Sequence, residues 1–227
     1  MAILALMIAD QSGQALPAAQ AHVERWPRNA LILSLLLGPF RLFAFSGMRD
    51  HDQVKVDLCK RHAASFDAED WCFLTYRGRS LAELGDKVRG RACTERGFGM
   101  RRRNANAAHA LVHVMHESGN GDEAAALVDG WLPCYGRQGP LHGHIAWHGA
   151  LVALTNGDAQ RALAIYSDSV APACSVGAPV IIVSDTASFL WRLQVDGHSK
   201  PADLLNQATG YASPHFAQAG FAFADMH

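Results

Sequence analysis

The chain has 227 residues, of which 49% are hydrophobic, and a formal net charge of −1. A chain of this length and composition can bury a sizeable core. Proteins that bind nucleic acids or anionic membranes usually carry a surplus of basic residues, which this chain lacks. We therefore expect no nucleic-acid partner and no membrane partner.

The five cysteines are scattered along the chain, and no two of them form a CxxC pair. They are Cys59, Cys72, Cys93, Cys134 and Cys174. An odd, scattered set is typical of reduced thiols and does not suggest a disulfide framework. This pattern predicts a cytoplasmic protein.

The most lipid-like run of the chain is Ala30–Phe45, with the sequence ALILSLLLGPFRLFAF. It is short for a membrane span, contains Gly38-Pro39 and carries Arg41. We predict a core helix that is kinked at Pro39. The N-terminal residues MAILALMIAD lack the basic start of a signal peptide.

Small turn motifs recur along the chain, each with a glycine at its centre. The glycines are Gly13, Gly47, Gly85, Gly119, Gly157 and Gly197, at intervals of 34 to 40 residues. A glycine can adopt the left-handed backbone conformation of a tight turn between two antiparallel helices. A period of this length indicates a solenoid of helix pairs.

The apolar spacing predicts eleven helices and essentially no sheet. The helices are expected at about 15–25, 29–45, 48–64, 69–84, 86–97, 104–118, 121–131, 141–155, 158–170, 181–195 and 200–208. The fold class is therefore all-α, a tetratricopeptide-like right-handed solenoid of antiparallel helix pairs. We expect one repeat domain over 1–209, with residues 1–12 as a partial first helix, and a loosely ordered tail over 210–227. Unfinished repeat ends favour self-association.

Six of the twelve histidines lie on two neighbouring segments, HALVHVMHESG and LHGHIAWHGAL. In helical-pair solenoids the first helix of each pair lines the concave groove. Counting back from the turn glycines predicts a ligand groove lined by His109, His113, His116, His144 and Trp147, with His148 at its edge. Tyr76, on the preceding helix pair, and Asp185, a nearby acid, are further candidates for the groove.

Several motifs resemble the tetratricopeptide repeat protein 38 family. They are HALVHVMHESG (His109–Gly119), HIAWHGAL (His144–Leu151), SDTASFLWRL (Ser184–Leu193), HVERWPRNALIL (His22–Leu33) and FSGMRDH. The resemblance covers most of the chain and implies a helical-repeat fold with a candidate site at the histidine blocks. Members of that family are longer, so the chain resembles a short or partial member.

The histidines allow two interpretations. Imidazole pairs spaced four residues apart point the same way along a helix and can bind a divalent metal ion or move protons. The candidate metal ligands are His109, His113, His144 and His148. Alternatively, these side chains form hydrogen bonds between helices and hold the packing together. Asp185 is expected to be the N-cap of the helix that carries ASFLWRL, and the alternative is a site carboxylate.

No phosphate loop, GxSxG elbow or HExxH motif is present in the sequence. Trp147 and Trp191 are expected to be packing aromatics, and Trp147 is also a candidate pocket floor. The sequence favours a binding scaffold whose groove takes a protein, a peptide or a small ligand. The alternative is a metal-dependent or acid–base enzyme, hydrolase-like, centred on the same histidines. No cofactor is required by the sequence, although a divalent metal ion is possible.

Overall fold

The computed structural model describes residues 2–9, 11–38, 41–44, 46–199 and 201–217. Over these residues the chain forms twelve α-helices and no strand, which confirms the all-α prediction. The chain divides into two compact units, unit 1 at Met1–Ser118 and unit 2 at Gly119–His227. That the helix pairs form a right-handed solenoid stays a prediction.

The described part of unit 1 forms seven α-helices. They are α1 (Ala2–Ile8), α2 (Ser12–Arg25), α3 (Ala30–Leu37), α4 (His51–His62), α5 (Trp71–Glu83), α6 (Lys87–Met100) and α7 (Ala105–Glu117). α5 and α6 are joined by Leu84–Asp86 and pack along their lengths, so they are antiparallel, and α7 lies against both. The apolar core of unit 1 is built mainly from α2 and α3. Phe43 and Phe73 are also buried in it.

Among its described residues, unit 2 forms five α-helices and one π-helical turn. They are α8 (Gly121–Trp131), α9 (His142–Thr155), α10 (Ala159–Ile165), the π-helical turn Tyr166–Val170, α11 (Pro179–Val195) and α12 (Ala202–His215). α9 is the central helix, because α8, α10, α11 and the π-helical turn all pack on it. From His142 to Leu154 only Trp147 escapes full burial. The polar side chains of His142, His144 and His148 on this helix are therefore buried.

The predicted glycine turns form at five of the six positions. Gly85 and Gly157 have φ of 98° and 80°, and Gly47, Gly119 and Gly197 are also left-handed. At Gly85 and Gly157 the N–H of the next residue donates to a carbonyl five residues back at 2.9 Å, which closes the preceding helix. That next residue is Asp86 or Asp158, whose carboxylate caps the following helix. The dipeptide Gly-Asp thus ends one helix and begins another.

One predicted turn and one predicted helix end are wrong. Gly13 lies inside α2 and does not adopt positive φ, so it is not a turn glycine. The helix expected at 29–45 ends at Leu37, where Gly38 is extended with ψ of 155°. Because Gly38 precedes a proline, the helical conformation is disfavoured there. The kink predicted at Pro39 falls outside the described residues.

The last helices also differ from the predicted boundaries. The helix predicted at 158–170 is α10 followed by the π-helical turn, and α12 continues to His215, beyond the predicted end at 208. Residues 218–227 of the predicted tail lie outside the described residues. Within the described part of the chain, no helix is both long enough and apolar enough to span a membrane.

Candidate functional site

A buried polar pair joins α9 to α11 in unit 2. One ring nitrogen of His144, Nδ1, lies 2.8 Å from Oδ2 and 3.0 Å from Oδ1 of Asp185. His144 and Asp185 are each only 5% exposed. A carboxylate only accepts hydrogen bonds, so Nδ1 carries a proton and donates it. In the neutral imidazole the lone pair is then on Nε2, the nitrogen that is able to accept a proton or a metal ion.

Two further aromatic side chains surround His144 on the same helix. The Trp147 ring stacks on His144 with centroids 5.4 Å apart, and His148 meets both rings edge-on at 5.1 Å and 4.8 Å. One ring nitrogen of His144 and one of His148 lie within 4.8 Å of each other. The guanidinium of Arg192, on α11, lies 5.9 Å from the centre of the Trp147 ring. We call His144, Trp147, His148, Asp185 and Arg192 the α9–α11 cluster.

The position of Asp185 corrects the N-cap interpretation. α11 begins at Pro179, so Asp185 is well inside the helix and cannot cap its first turn. Pro179 itself is the first helical residue, a position where the missing N–H of proline costs nothing. The side chain of Asp185 instead contacts His144, and its interpretation as a site carboxylate stays a prediction.

A second polar network, in unit 1, contains the other predicted histidines. Arg79 on α5 lies with Nη1 3.2 Å from Nδ1 of His109 and with Nη2 3.5 Å from Nε2 of His113. Its Nε donates to Glu83 at 2.8 Å, and Glu83 also accepts from Lys55 at 3.1 Å. A guanidinium has no acceptor, so each facing imidazole nitrogen must be the acceptor. Both histidines of α7 therefore present lone pairs to a cation.

The two histidine pairs thus have the same spacing but opposite partners. His109 and His113 meet the cation Arg79, whereas His144 meets the anion Asp185. A carboxylate raises the basicity of an imidazole and favours a bound cation, and a guanidinium does the reverse. The sequence predicted both pairs from their spacing but not this difference.

The remaining predicted residues lie outside these two networks. His116 is exposed on α7. Tyr76 packs against the apolar core of unit 1, and its burial raises the pKa of its hydroxyl. Trp191 is 60% exposed, so the prediction that it packs in the core is wrong. A groove that joins the histidines of α7 to those of α9 involves both units and stays a prediction.

Sequence reasoning missed Arg79, Glu83, Lys55 and Arg192. Arg79 and Glu83 are four residues apart on α5, a spacing typical of helical ion pairs, and that signal was available. Asp52 and Lys55 are three residues apart on α4, which is also a spacing typical of helical ion pairs, but nothing in the sequence marks the burial of Lys55, which is only 2% exposed. All five cysteines are free, and burial raises the pKa of Cys59 to about 12, which makes that thiol unreactive.

A cavity of about 410 Å³ opens beside the first turn of α9 in unit 2. His142, Asp168 and Ser169 contribute polar groups to its wall, the last two from the π-helical turn. Burial, and then the charge of Arg137, lowers the pKa of His142. Arg137 donates to Asp168 at 2.6 Å, so this polar wall already has an internal ion pair.

No model of a known protein family matches the chain. A solved structure described as "MamA MSR-1 C2" is 13% identical, and the similar part covers 72% of this chain and 95% of that one with a TM-score of 0.45. A likeness of this size establishes neither a family nor a function. The resemblance to the tetratricopeptide repeat protein 38 family stays a prediction from the sequence motifs.

Proposed function

We propose that the protein is a helical-repeat binding scaffold whose α9–α11 cluster holds a small ligand. The observation that carries this proposal is the buried His144–Asp185 pair, with Oδ2 2.8 Å from Nδ1. Burying an ionisable pair costs free energy that an apolar pair of the same volume would not cost. Such costs are concentrated at sites where a protein binds or transforms something.

The burial of the cluster also limits the size of the ligand. His144, His148 and Asp185 are each 5% exposed, so a peptide lying on the surface would barely reach their polar atoms. An ion or a small molecule is the better fit. The sequence predicted a protein, a peptide or a small ligand, and the burial favours the last of these. The cytoplasmic location and self-association through the repeat ends stay predictions.

A thermal-shift screen tests this proposal. The probes are divalent chloride salts, inorganic phosphate, the common nucleotides and the amino acids, each added to the purified chain without an affinity tag. At a ligand concentration 100 times Kd, binding to the native state adds about 2.7 kcal/mol to the free energy of unfolding. We expect at least one probe to raise the Tm of the wild type and to have no effect on His148→Gln.

The matched control is His116→Gln, because His116 is an exposed histidine on α7. This variant should respond to the same probe as the wild type. A screen in which no probe shifts the wild type counts against the proposal. A probe that shifts the wild type and His148→Gln equally shows binding at another place in the molecule.

Acid–base catalysis of a hydrolytic type is the second candidate function. It is favoured by the same contact, since an imidazole held by a carboxylate is oriented to accept a proton at Nε2. A chromogenic acetate ester is a general probe for this activity. The wild type should hydrolyse it faster than buffer, and the rate should fall at least tenfold in His144→Gln. A wild-type rate equal to that of buffer removes this candidate.

A further inference from the structure

The α9 pair has the geometry of a chelate on one helix. His144 and His148 are four residues apart, and a ring nitrogen of each lies within 4.8 Å of the other. Two nitrogens bound to one tetrahedral zinc ion at about 2.0–2.1 Å lie roughly 3.4 Å apart. The two rings therefore need to approach by no more than about 1.4 Å, which side-chain rotation can supply.

Asp185 provides the outer partner that metal-binding histidines normally have. Its carboxylate holds Nδ1–H of His144 at 2.8 Å, which places the lone pair on Nε2 and fixes the plane of the ring. Carboxylate–histidine–metal arrangements use the same contact to make the imidazole a better ligand. The negative charge of the carboxylate also offsets part of the charge of a bound cation.

The α7 pair lacks this advantage although its spacing is identical. His109 and His113 both accept from Arg79, at 3.2 Å and 3.5 Å. A metal ion bound there would have to displace those hydrogen bonds and would lie beside a guanidinium. Like charges at such distances repel strongly in a partly buried setting. The two histidine pairs therefore differ in the charge of the side chain that contacts them, and not in their spacing.

We propose that a divalent transition-metal ion of the zinc, copper or nickel class binds to His144 and His148 of α9, with Asp185 as the outer-shell partner of His144. This inference rests on the proposed function and names the class of ligand that the α9–α11 cluster takes. Imidazole nitrogens suit these three ions, whereas magnesium and calcium prefer oxygen ligands. With two protein ligands, water completes the coordination of the ion.

Trp147 provides a direct readout of this site. Its ring centre lies 5.4 Å from that of His144 and 4.8 Å from that of His148, so Cu²⁺ or Ni²⁺ bound between them will quench its fluorescence. The experiment titrates each ion into the full chain, and Trp147→Phe identifies the part of the emission that comes from this residue. Zn²⁺, which does not quench, is measured by calorimetry and by competition with Cu²⁺.

The matched variants are His144→Gln/His148→Gln on α9 and His109→Gln/His113→Gln on α7. We expect the α9 variant to lose the Trp147 quenching and the α7 variant to keep it. Asp185→Asn retains both ligands and should weaken the affinity by about 10–100-fold. Circular dichroism checks that each variant is folded, and Asp185→Asn keeps the test decisive if the double variant does not fold.

Three outcomes would overturn the assignment. They are a wild type that shows no quenching, an α7 variant that loses binding as fully as the α9 variant, and an Asp185→Asn variant with unchanged affinity. A wild type that ignores metal ions but responds to a non-metal probe in the thermal-shift screen refutes the metal inference alone. A wild type that responds to neither refutes the proposed function with it.

Discussion

Asp185→Leu alone should lower the free energy of unfolding by about 1–3 kcal/mol, because it removes the carboxylate that accepts from Nδ1–H of the buried His144. His144→Phe alone should cost more, about 3–5 kcal/mol, since it removes the imidazole that donates to the buried Asp185 carboxylate. The double variant His144→Phe/Asp185→Leu should be close to the wild type or more stable, as apolar pairs of similar volume often are. Urea unfolding of the four proteins gives the coupling energy directly.

Asp129→Leu is the control for this cycle. Asp129 pairs with Arg161 in the same unit, but both side chains are about half exposed. Removing such a surface partner changes the free energy of unfolding by about 1 kcal/mol or less. If the double variant is instead as unstable as the single variants, the pair stabilises the packing of α9 on α11 and is not held in place for a ligand.

Gly90→Ala should destabilise unit 1 by about 1–3 kcal/mol, although alanine is the better helix former. A Cβ at Gly90 would lie 2.8 Å from the carbonyl oxygen of Gly78 and 2.9 Å from the backbone nitrogen of Ala82. Gly78, on the facing helix α5, is equally crowded, because a Cβ added there would lie 2.8 Å from backbone atoms of α6. Because backbone atoms cannot rotate away, α5 and α6 must separate. Chemical denaturation followed by far-ultraviolet circular dichroism measures the loss.

Gly99→Ala is a matched control on the same helix. A Cβ at Gly99 meets no atom within 4 Å, and the residue is exposed near the end of α6. Here only helix propensity changes, so we expect a gain of up to about 1 kcal/mol. Equal effects at Gly90 and Gly99 would mean that the two helices do not approach as closely as the structure has them.

The repeating turns could be predicted because each depends on a single local requirement. Gly85 and Gly157 are needed where the backbone is left-handed, and an aspartate follows each to cap the next helix. The same rule failed at Gly13, because a glycine is also tolerated inside a helix. Local sequence therefore predicted five of the turns and mistook Gly13 for a sixth.

The candidate site could be predicted only in part. The spacing of His144 and His148 is visible in the sequence, because a helical period places both on one face. Asp185, the partner of His144, lies 41 residues later in the chain, and the contact between them depends on how α11 packs on α9. The same holds for Arg79, which lies 30 residues before His109. Which charge meets which imidazole is decided by tertiary packing, and periodicity contains no information about it.

The buried ion pairs of Lys55 also have a consequence for the covalent chemistry of the chain. Its amine is 2% exposed and is bound by Asp52 and Glu83, whereas the side chain of Lys60, five residues later on α4, is 62% exposed. An acylating reagent must reach the amine to react with it. It should therefore label the exposed Lys60 rapidly and label Lys55 only when α4 separates from α5. The ratio of the two labels in a mass spectrum then reports how often this part of unit 1 opens under native conditions.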